Sequence, residues 1–532
     1  MNVHRIKLTS AALFAVFAVA DANAVHVSPN GTGQVLIFPY YTVRNGFNTL
    51  LSVTNTQKNT KAVKVQFREG MNGRDVMNFN LFLSPNDTWT GAVLETQQGA
   101  RLVTNDNSCV TPADLFLEIR VDPLGRPLNE FKNYMYSGGN EELPSFTSLD
   151  RTREGYFEIV EMGVIDPVLS PTASQIVANI NQDSLSMANN CTPIDTYDAW
   201  GGNPSPIRFP NTGAALMSPP SGGLMGRASL INAASGANYS YGPTVLDGWS
   251  SKVAYAEAGN SRAGALLSDA SPATSMVTSP NGTVIAKWAN GRDAVTAALM
   301  RDSLINEFVL DAGTESQTDW IVTLPTKPYY TDKIYGNSSP SVSAPFDRSF
   351  SSNTTTGCDG YTPEGMNREG VDSERYAIYP ATRPPNPQGA EAVSRFCRTA
   401  NVLPFKSAAV TGAFPYEYRV ISLLDSPTPS LLEYYFSKTV MGAISTPRGL
   451  TTPTLRVSQG PNGRATLRFN KVQQELTPIS AVLISPSGTQ TSITGKHFGL
   501  PVIGVMLHNY RNTNVVSRYG GVVEHSFSVR VE

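Results

Sequence analysis

Apolar and polar residues alternate along much of the chain, most clearly between Asn48 and Thr90. The alternation runs from Val63 to Arg68 and again, nearly without exception, from Met77 to Leu83, with a turn containing Asn72-Gly73 between them. A period of two gives a strand one buried face and one solvated face. A series of such short strands with polar turns is typical of an antiparallel β-sandwich.

Further strands are predicted on both sides of this stretch. Pro39 lies near the end of the first one, Gln34–Tyr41, and predicts an edge position or a break there. Leu115–Val121 and Glu154–Met162 also have strand patterns. The final residues, Val523–Glu532, alternate to the end of the chain.

Two local pairings can be predicted. Arg227–Asn232 and Asn238–Tyr241 have the spacing of a hairpin, and Glu307–Leu310 and Asp319–Leu324 are expected to be paired strands around a loop. Most of the remaining patterns also indicate strands, so few helices are expected.

One helix is predicted, with Asp293 as its N-cap and Asn306 near its end. Ala297, Met300 and Leu304 form a stripe at three- and four-residue spacing. Because this helix is isolated among strands, we expect it to cover the edge or end of a sandwich.

These patterns predict a mainly β protein of two immunoglobulin-like or related antiparallel β-sandwich domains, with long loops and one short helix. The length of 532 residues exceeds one ordinary core. A stretch rich in Asn, Ser and Pro suggests a boundary between residues 25–195 and residues 196–532. Residues 325–404, also rich in Pro and Ser, are predicted to be a long loop insertion in the second domain.

Residues 1–24 have the features of a secretory signal peptide. A basic start precedes an apolar run from Leu8 to Ala20, and Ala22-Asn23-Ala24 fits the small residues of a cleavage site. The apolar run is shorter than the ~20 residues that span a bilayer. We expect a mature chain that begins near Val25, has no transmembrane segment, and is secreted, at the cell surface, extracellular or in the periplasm.

Four cysteines in an exported chain predict two disulfides. Sequence order favours Cys109 with Cys191 and Cys358 with Cys397, although four cysteines permit three pairings. In the loop-entropy model each bridge stabilises the fold by about 4 kcal/mol. A metal site is not expected, because no two cysteines have the close spacing of zinc ligands.

The charge of the chain gives no sign of a nucleic-acid partner. The net charge is -2, only 16% of residues are charged, and no run of Lys and Arg would follow a phosphate backbone.

Three glutamates, Glu154, Glu158 and Glu161, are close in sequence. Glu158 and Glu161 point to opposite faces of a strand, which excludes the facing carboxylate pair of a glycosidase. Glu154 and Glu158 can share a face. We interpret this group as part of a solvated strand face, where most carboxylates lie.

The sequence gives little support to other candidate metal-binding or catalytic residues. His26, His497, His508 and His525 remain after signal cleavage, and none shows the spacing of metal ligands. Ser261 lies in a sequence one residue away from the nucleophile-elbow pattern, but no alternation of strands and helices surrounds it. We therefore predict no catalytic, cofactor-binding or metal-binding residues.

A cluster of aromatic residues is a candidate for a sugar-binding surface. Tyr40, Tyr41 and Trp89 cluster in the first predicted domain, where they suit either a sugar-stacking platform or core packing, and we favour the core.

Four stretches carry a family resemblance: Val63–Trp89, Arg153–Glu158, Gly222–Asn232 and Thr318–Thr323. Through them the chain resembles a group of uncharacterised secreted or surface β-sandwich proteins of Gram-negative bacteria. The resemblance implies export and carries over no activity or site.

Three functional hypotheses follow. The first is a non-enzymatic structural, adhesive or assembly protein of the bacterial cell surface or periplasm, with a protein or surface polysaccharide as partner. The second is a secreted protein that binds or cleaves glycans, with a site on loops at a sandwich end. The third is self-association, in which residues 521–532 add a strand to a neighbouring subunit.

Overall fold

The computed structural model describes residues 24–112, 115–116, 121, 125–140, 147–180, 191, 212–262, 264–311, 314, 316–335, 343–346, 359–368, 379–380, 394–396, 398–407, 455–457, 462–469, 474–511 and 518–532. These residues are mainly β and form several antiparallel sheets, consistent with the predicted β-sandwich class.

Two sheets face each other in the first half of the chain. Sheet 1 contains, in spatial order, β1 (His26–Val27), β13 (Thr244–Asp247), β2 (Val35–Thr42), β9 (Glu154–Ile165), β4 (Thr60–Glu69), β5 (Asp75–Leu83) and β8 (Cys109–Thr111), with β10 (Met217–Ser218) also on β9. Sheet 2 contains β12 (Ala237–Tyr241), β11 (Leu224–Asn232), β3 (Asn48–Asn55), β6 (Thr88–Glu95) and β7 (Ala100–Val103).

Apolar side chains fill the space between sheets 1 and 2. Phe79 of β5 in sheet 1 lies 5.8 Å from Trp89 of β6 in sheet 2, between ring centroids, within a buried cluster that both sheets share. The predicted hairpin of β11 and β12 is confirmed. Because residues 217–247 hydrogen-bond into these sheets, the predicted boundary after residue 195 lies within the first sandwich.

A second pair of sheets forms another sandwich. Sheet 3 contains β21 (Ser394–Phe396), β19 (Asp359–Asn367), β24 (Asn462–Arg468), β17 (Ser303–Val309) and β32 (Ser526–Ser528). Sheet 4 contains β20 (Tyr379–Pro380), β23 (Leu455–Val457), β22 (Ala400–Ser407), β18 (Gln317–Thr323), β30 (Ile503–Arg511) and β31 (Arg518–Glu524). The strands β19 to β22 lie where a long loop insertion was predicted, so that region is not irregular throughout.

Smaller sheets complete the described fold. Sheet 5 contains β14 (Thr274–Ser279), β15 (Gly282–Lys287), β26 (Ser480–Ile484) and β27 (Gln490–Ile493). Two minor sheets contain β16 (Met300–Arg301) with β29 (Leu500–Pro501), and β25 (Glu475–Leu476) with β28 (His497–Phe498) and β33 (Arg530–Val531).

The helices among the described residues are short. They are α1 (Pro171–Ile180), α2 (Thr212–Ala215), α3 (Gly291–Leu299) and α4 (Pro328–Thr331), with 3-10 turns at Arg44–Gly46, Tyr134–Tyr136, Leu149–Arg153, Leu267–Asp269 and Lys333–Tyr335. Within the described ranges, no helix has the length and apolar character needed to cross a bilayer.

The predicted helix corresponds to α3, but both of its ends were wrong. Its N-cap is Asn290, whose side chain accepts a hydrogen bond from the Asp293 amide. The helix ends at Leu299 because Met300 is already extended and pairs with the backbone of Pro501. The amphipathic helix α1 was not predicted.

Three strand predictions also need correction. β17 and β18 are not paired with each other, because they belong to opposing sheets of the second sandwich. β2 is a central strand, and the predicted break at Pro39 occurs as a bulge between Phe38 and Tyr41. At the start of the predicted strand Leu115–Val121, Leu115 and Phe116 lie in a turn, and residues 117–120 lie outside the described residues.

Candidate functional site

The polar positions of sheet 1 form a buried layer. In the strand register, Gln66 of β4 lies opposite Glu158 of β9 on one side and Asn78 of β5 on the other. The outward polar residues of these strands are all buried; they are Lys64, Gln66, Arg68, Asp75, Asn78, Asn80 and Glu158, called the polar layer below. The predicted solvated face was therefore wrong for these strands.

Segments from later in the chain cover the polar layer. The backbone carbonyl oxygens of Asn260 and Ala256 accept hydrogen bonds from Lys64 Nζ and Asn80 Nδ2 respectively. The tyrosines Tyr329 and Tyr335, in and just after α4, contact the same face. This cover removes the polar face from solvent.

An ion pair lies at the centre of the polar layer. Arg68 Nε is 3.1 Å from Glu158 Oε2, and both side chains have no exposed surface. The Arg68 guanidinium also donates to the hydroxyls of Tyr329 and Tyr335, each at 2.8 Å. Burial raises the pKa of Glu158, and the Arg68 charge opposes this rise.

Ser261 reaches the edge of the polar layer. Asn78 Nδ2 donates to Ser261 Oγ at 3.0 Å and to both carboxylate oxygens of Asp75. Burial raises the pKa of Asp75, against the nearby Arg68 charge. Residues 253–262 form neither strand nor helix, so Ser261 does not occupy a nucleophile elbow.

A second buried network joins the turn after β4 to the region of α4. The Glu69 carboxylate accepts from the backbone amides of Met71, Asn72 and Arg74. Arg74 pairs with Asp332 at 2.7 Å (Nε to Oδ2) and 3.0 Å (Nη2 to Oδ1).

Arg151 extends this network to the segment before β9. Its Nη2 atom lies 3.1 Å from Glu69 Oε1 and donates to Asn72 Oδ1 at 2.6 Å. Its guanidinium also packs 4.0 Å from the Tyr136 ring centroid. Hydrogen-bonded charges of this kind hold segments in one arrangement, because breaking a buried pair leaves an uncompensated charge.

The other two glutamates lie in separate environments. Glu161 is fully buried, pairs with Lys61 at 2.6 Å and accepts from the backbone amide of Ser221. Glu154 is largely buried between Arg44 and the Tyr40 hydroxyl. The interpretation of these three glutamates as one solvated face was wrong, because each is held by its own partner.

The histidines do not come together. His497 Nδ1 contacts the Gly495 carbonyl at 2.8 Å, while His525 lies between the Ile321 carbonyl and Asn306. His26 lies on β1 and His508 on β30. The described residues contain no group of three or more His, Cys, Asp or Glu able to hold a metal ion.

Cys109 and Cys191 form a disulfide with a Cα–Cα distance of 5.4 Å, the first of the two pairs predicted from sequence order. Cys358 and Cys397 lie outside the described residues. Their sequence neighbours Asp359 and Phe396 lie opposite each other in β19 and β21. Because the two cysteines themselves are not described, the second pairing stays a prediction.

The three aromatic residues considered for a sugar-stacking platform in the first domain are core residues. Tyr40, Tyr41 and Trp89 are buried, so none is available as a sugar-stacking surface.

Exposed aromatic residues occur elsewhere, on the last hairpin of sheet 4. Tyr510 of β30 lies directly opposite Tyr519 of β31, with ring centroids 5.9 Å apart and planes inclined by 22°. His508 continues the row, 6.2 Å from Tyr510 and inclined by 17°. These three residues, called the aromatic strip, include two tyrosines that are each 45% exposed.

The aromatic strip was not predicted from the sequence. The alternation within Ile503–Arg511 indicates a strand, but the register that places Tyr510 beside Tyr519 depends on pairing across residues 512–517. A single sequence does not specify that register.

Comparison of the chain with protein-family models, with curated proteins and with solved structures finds no match.

Proposed function

We propose that this protein is an exported, non-enzymatic adhesive or structural component of a bacterial cell surface or periplasm. The main support is that the polar side chains of sheet 1 are buried and engaged in contacts within the chain. Arg68 and Glu158 are buried, and Arg68 holds the segment that contains Tyr329 and Tyr335 against sheet 1. Such a layer suits a rigid scaffold that presents an outer surface to a partner.

The third hypothesis gains less support. The residues that would add a strand to a neighbouring subunit already pair within the chain: β31 with β30, β32 with β17 and β33 with β28. Intermolecular addition would first have to break these pairs.

Fractionation of the native host tests the proposal. We expect the protein in the periplasmic, surface or extracellular fraction, with an N-terminus at Val25 by amino-terminal sequencing, and copurifying with a surface polysaccharide or protein. A chain that retains residues 1–24 in the cytoplasmic fraction would contradict the proposal.

A further inference from the structure

We propose that the aromatic strip binds a neutral saccharide chain; this inference deepens the adhesive role proposed above and rests on it.

The rings of the strip have a geometry that suits a saccharide. Tyr510 and Tyr519 are exposed, and together with His508 they form a row of nearly parallel rings across two strands. Tyrosine offers an apolar ring with a polar tip, which is the combination that a pyranose with one apolar face and a rim of hydroxyls can use.

Gly521 contributes to this geometry. It lies opposite His508 in the hairpin, and a Cβ at this position would come within 2.5 Å of His508 Cε1. The glycine therefore leaves the space in which the imidazole lies next to Tyr510.

Polar atoms of the three side chains accompany the ring surfaces. Within the described part of the chain, neither tyrosine hydroxyl has a hydrogen-bond partner, and His508 Nδ1 is a buried ring nitrogen without one. Small-molecule sites characteristically combine aromatic surface with a few polar atoms that fix the ligand. The hydroxyls of a saccharide can supply partners to these atoms without adding charge.

The exposed surface of the two tyrosines is small. Two tyrosines that are each 45% exposed offer roughly 200 Å² of side-chain surface, well below the ~800 Å² per partner of a standard protein interface. An extended saccharide needs only a narrow surface of this kind.

Affinity electrophoresis of the mature protein tests the inference. The gels contain dextran, a soluble β-glucan, a mannan or a galactomannan as probes. We expect at least one of them to retard the protein, and Tyr510→Ala or Tyr519→Ala to weaken that binding by about tenfold. Tyr519→Phe keeps the ring but loses the hydroxyl, so its binding should weaken by only about threefold.

Tyr134→Ala is the matched control, because Tyr134 is 42% exposed but lies in a 3-10 turn outside sheet 4. It should bind as the wild type does. Urea unfolding of each variant checks that the fold is retained, and size-exclusion chromatography checks the oligomeric state.

Several results would overturn the inference: retardation by none of the four polysaccharides, unchanged binding by both strip variants, or equal weakening by Tyr134→Ala. A strip variant that dissociates a dimer would instead identify a contact between copies of the chain. In each case, unchanged recovery of the protein with the native cell surface would leave the proposed adhesive role standing.

Discussion

A buried guanidinium and a buried carboxylate face each other at Arg68 and Glu158. Arg68→Met should lower the free energy of unfolding by roughly 3–5 kcal/mol, because Glu158 then lies without its cation in a site closed to water. Urea unfolding measures this loss. In the double variant Arg68→Met/Glu158→Leu the loss should be smaller than the sum of the two single losses.

Arg530→Met is a matched control for Arg68→Met. Arg530 also pairs with a glutamate, Glu532, but both side chains are more than half exposed. Since exposed pairs contribute little, this variant should unfold almost as the wild type does. Equal losses for the two arginine variants would contradict the structural role given to Arg68.

His525 links the stability of the second sandwich to pH. Its Nε2 atom donates to the Ile321 carbonyl and its Nδ1 atom accepts from Asn306 Nδ2, an arrangement that requires the neutral ring. Burial lowers the pKa of His525 to about 4. The stability that this neutral ring contributes is present above about pH 6.5 and is lost as the pH falls toward 4, because the unfolded chain takes up the proton first.

Between pH 7 and pH 5, His525 should reduce the free energy of unfolding by roughly 2 kcal/mol. His525→Gln can keep both hydrogen bonds without titrating, so this part of the pH dependence should disappear. Urea unfolding at the two pH values measures the difference. The same pH dependence in variant and wild type would show that the ring does not titrate as described.

At the scale of elements, the pairing of β9 with β4 depends on Gly155. A Cβ at this position would overlap the backbone carbonyl of Arg68, which cannot move without breaking the ladder. Gly155→Ala should therefore cost about 1–3 kcal/mol of stability, measured by urea unfolding.

Gly242→Ala is the control for this prediction. No heavy atom lies within 4 Å of the position its Cβ would take. We expect a change within about 0.5 kcal/mol. An equally large loss in this variant would attribute the Gly155 effect to backbone flexibility instead of strand pairing.

Local patterns were sufficient to predict many of the strands. The alternation in β4 and β5 and the hairpin of β11 and β12 follow from side-chain periodicity and turn residues, which act over a few positions. The same periodicity misassigned the end of α3, because the strand ladder that Met300 and Leu304 join is formed with distant residues.

The burial of the polar layer could not be predicted from these patterns. Lys64 meets Asn260 across 196 positions of sequence, and Arg68 meets Tyr329 across 261. An alternating strand has the same sequence whether water or another part of the chain covers its polar face. The aromatic strip was missed for a related reason, since it requires the register of β30 and β31.

At the scale of the whole molecule, the two sandwiches are joined by buried polar contacts. Arg74 in the first half pairs with Asp332 in the second, and the Thr323 hydroxyl donates to the Pro39 carbonyl at 2.6 Å. The edge strands β12 and β31 also meet, with Tyr239 lying over Gly520. Such contacts should make the two halves unfold together.

Differential scanning calorimetry of the mature protein and of Asp332→Asn tests this coupling most directly. We predict one transition in the wild type, and a single transition at lower temperature in the variant, because the loss of the Arg74 partner weakens both sandwiches at once. Two separate transitions, of which Asp332→Asn shifts only one, would contradict the conclusion that buried polar contacts couple the two sandwiches.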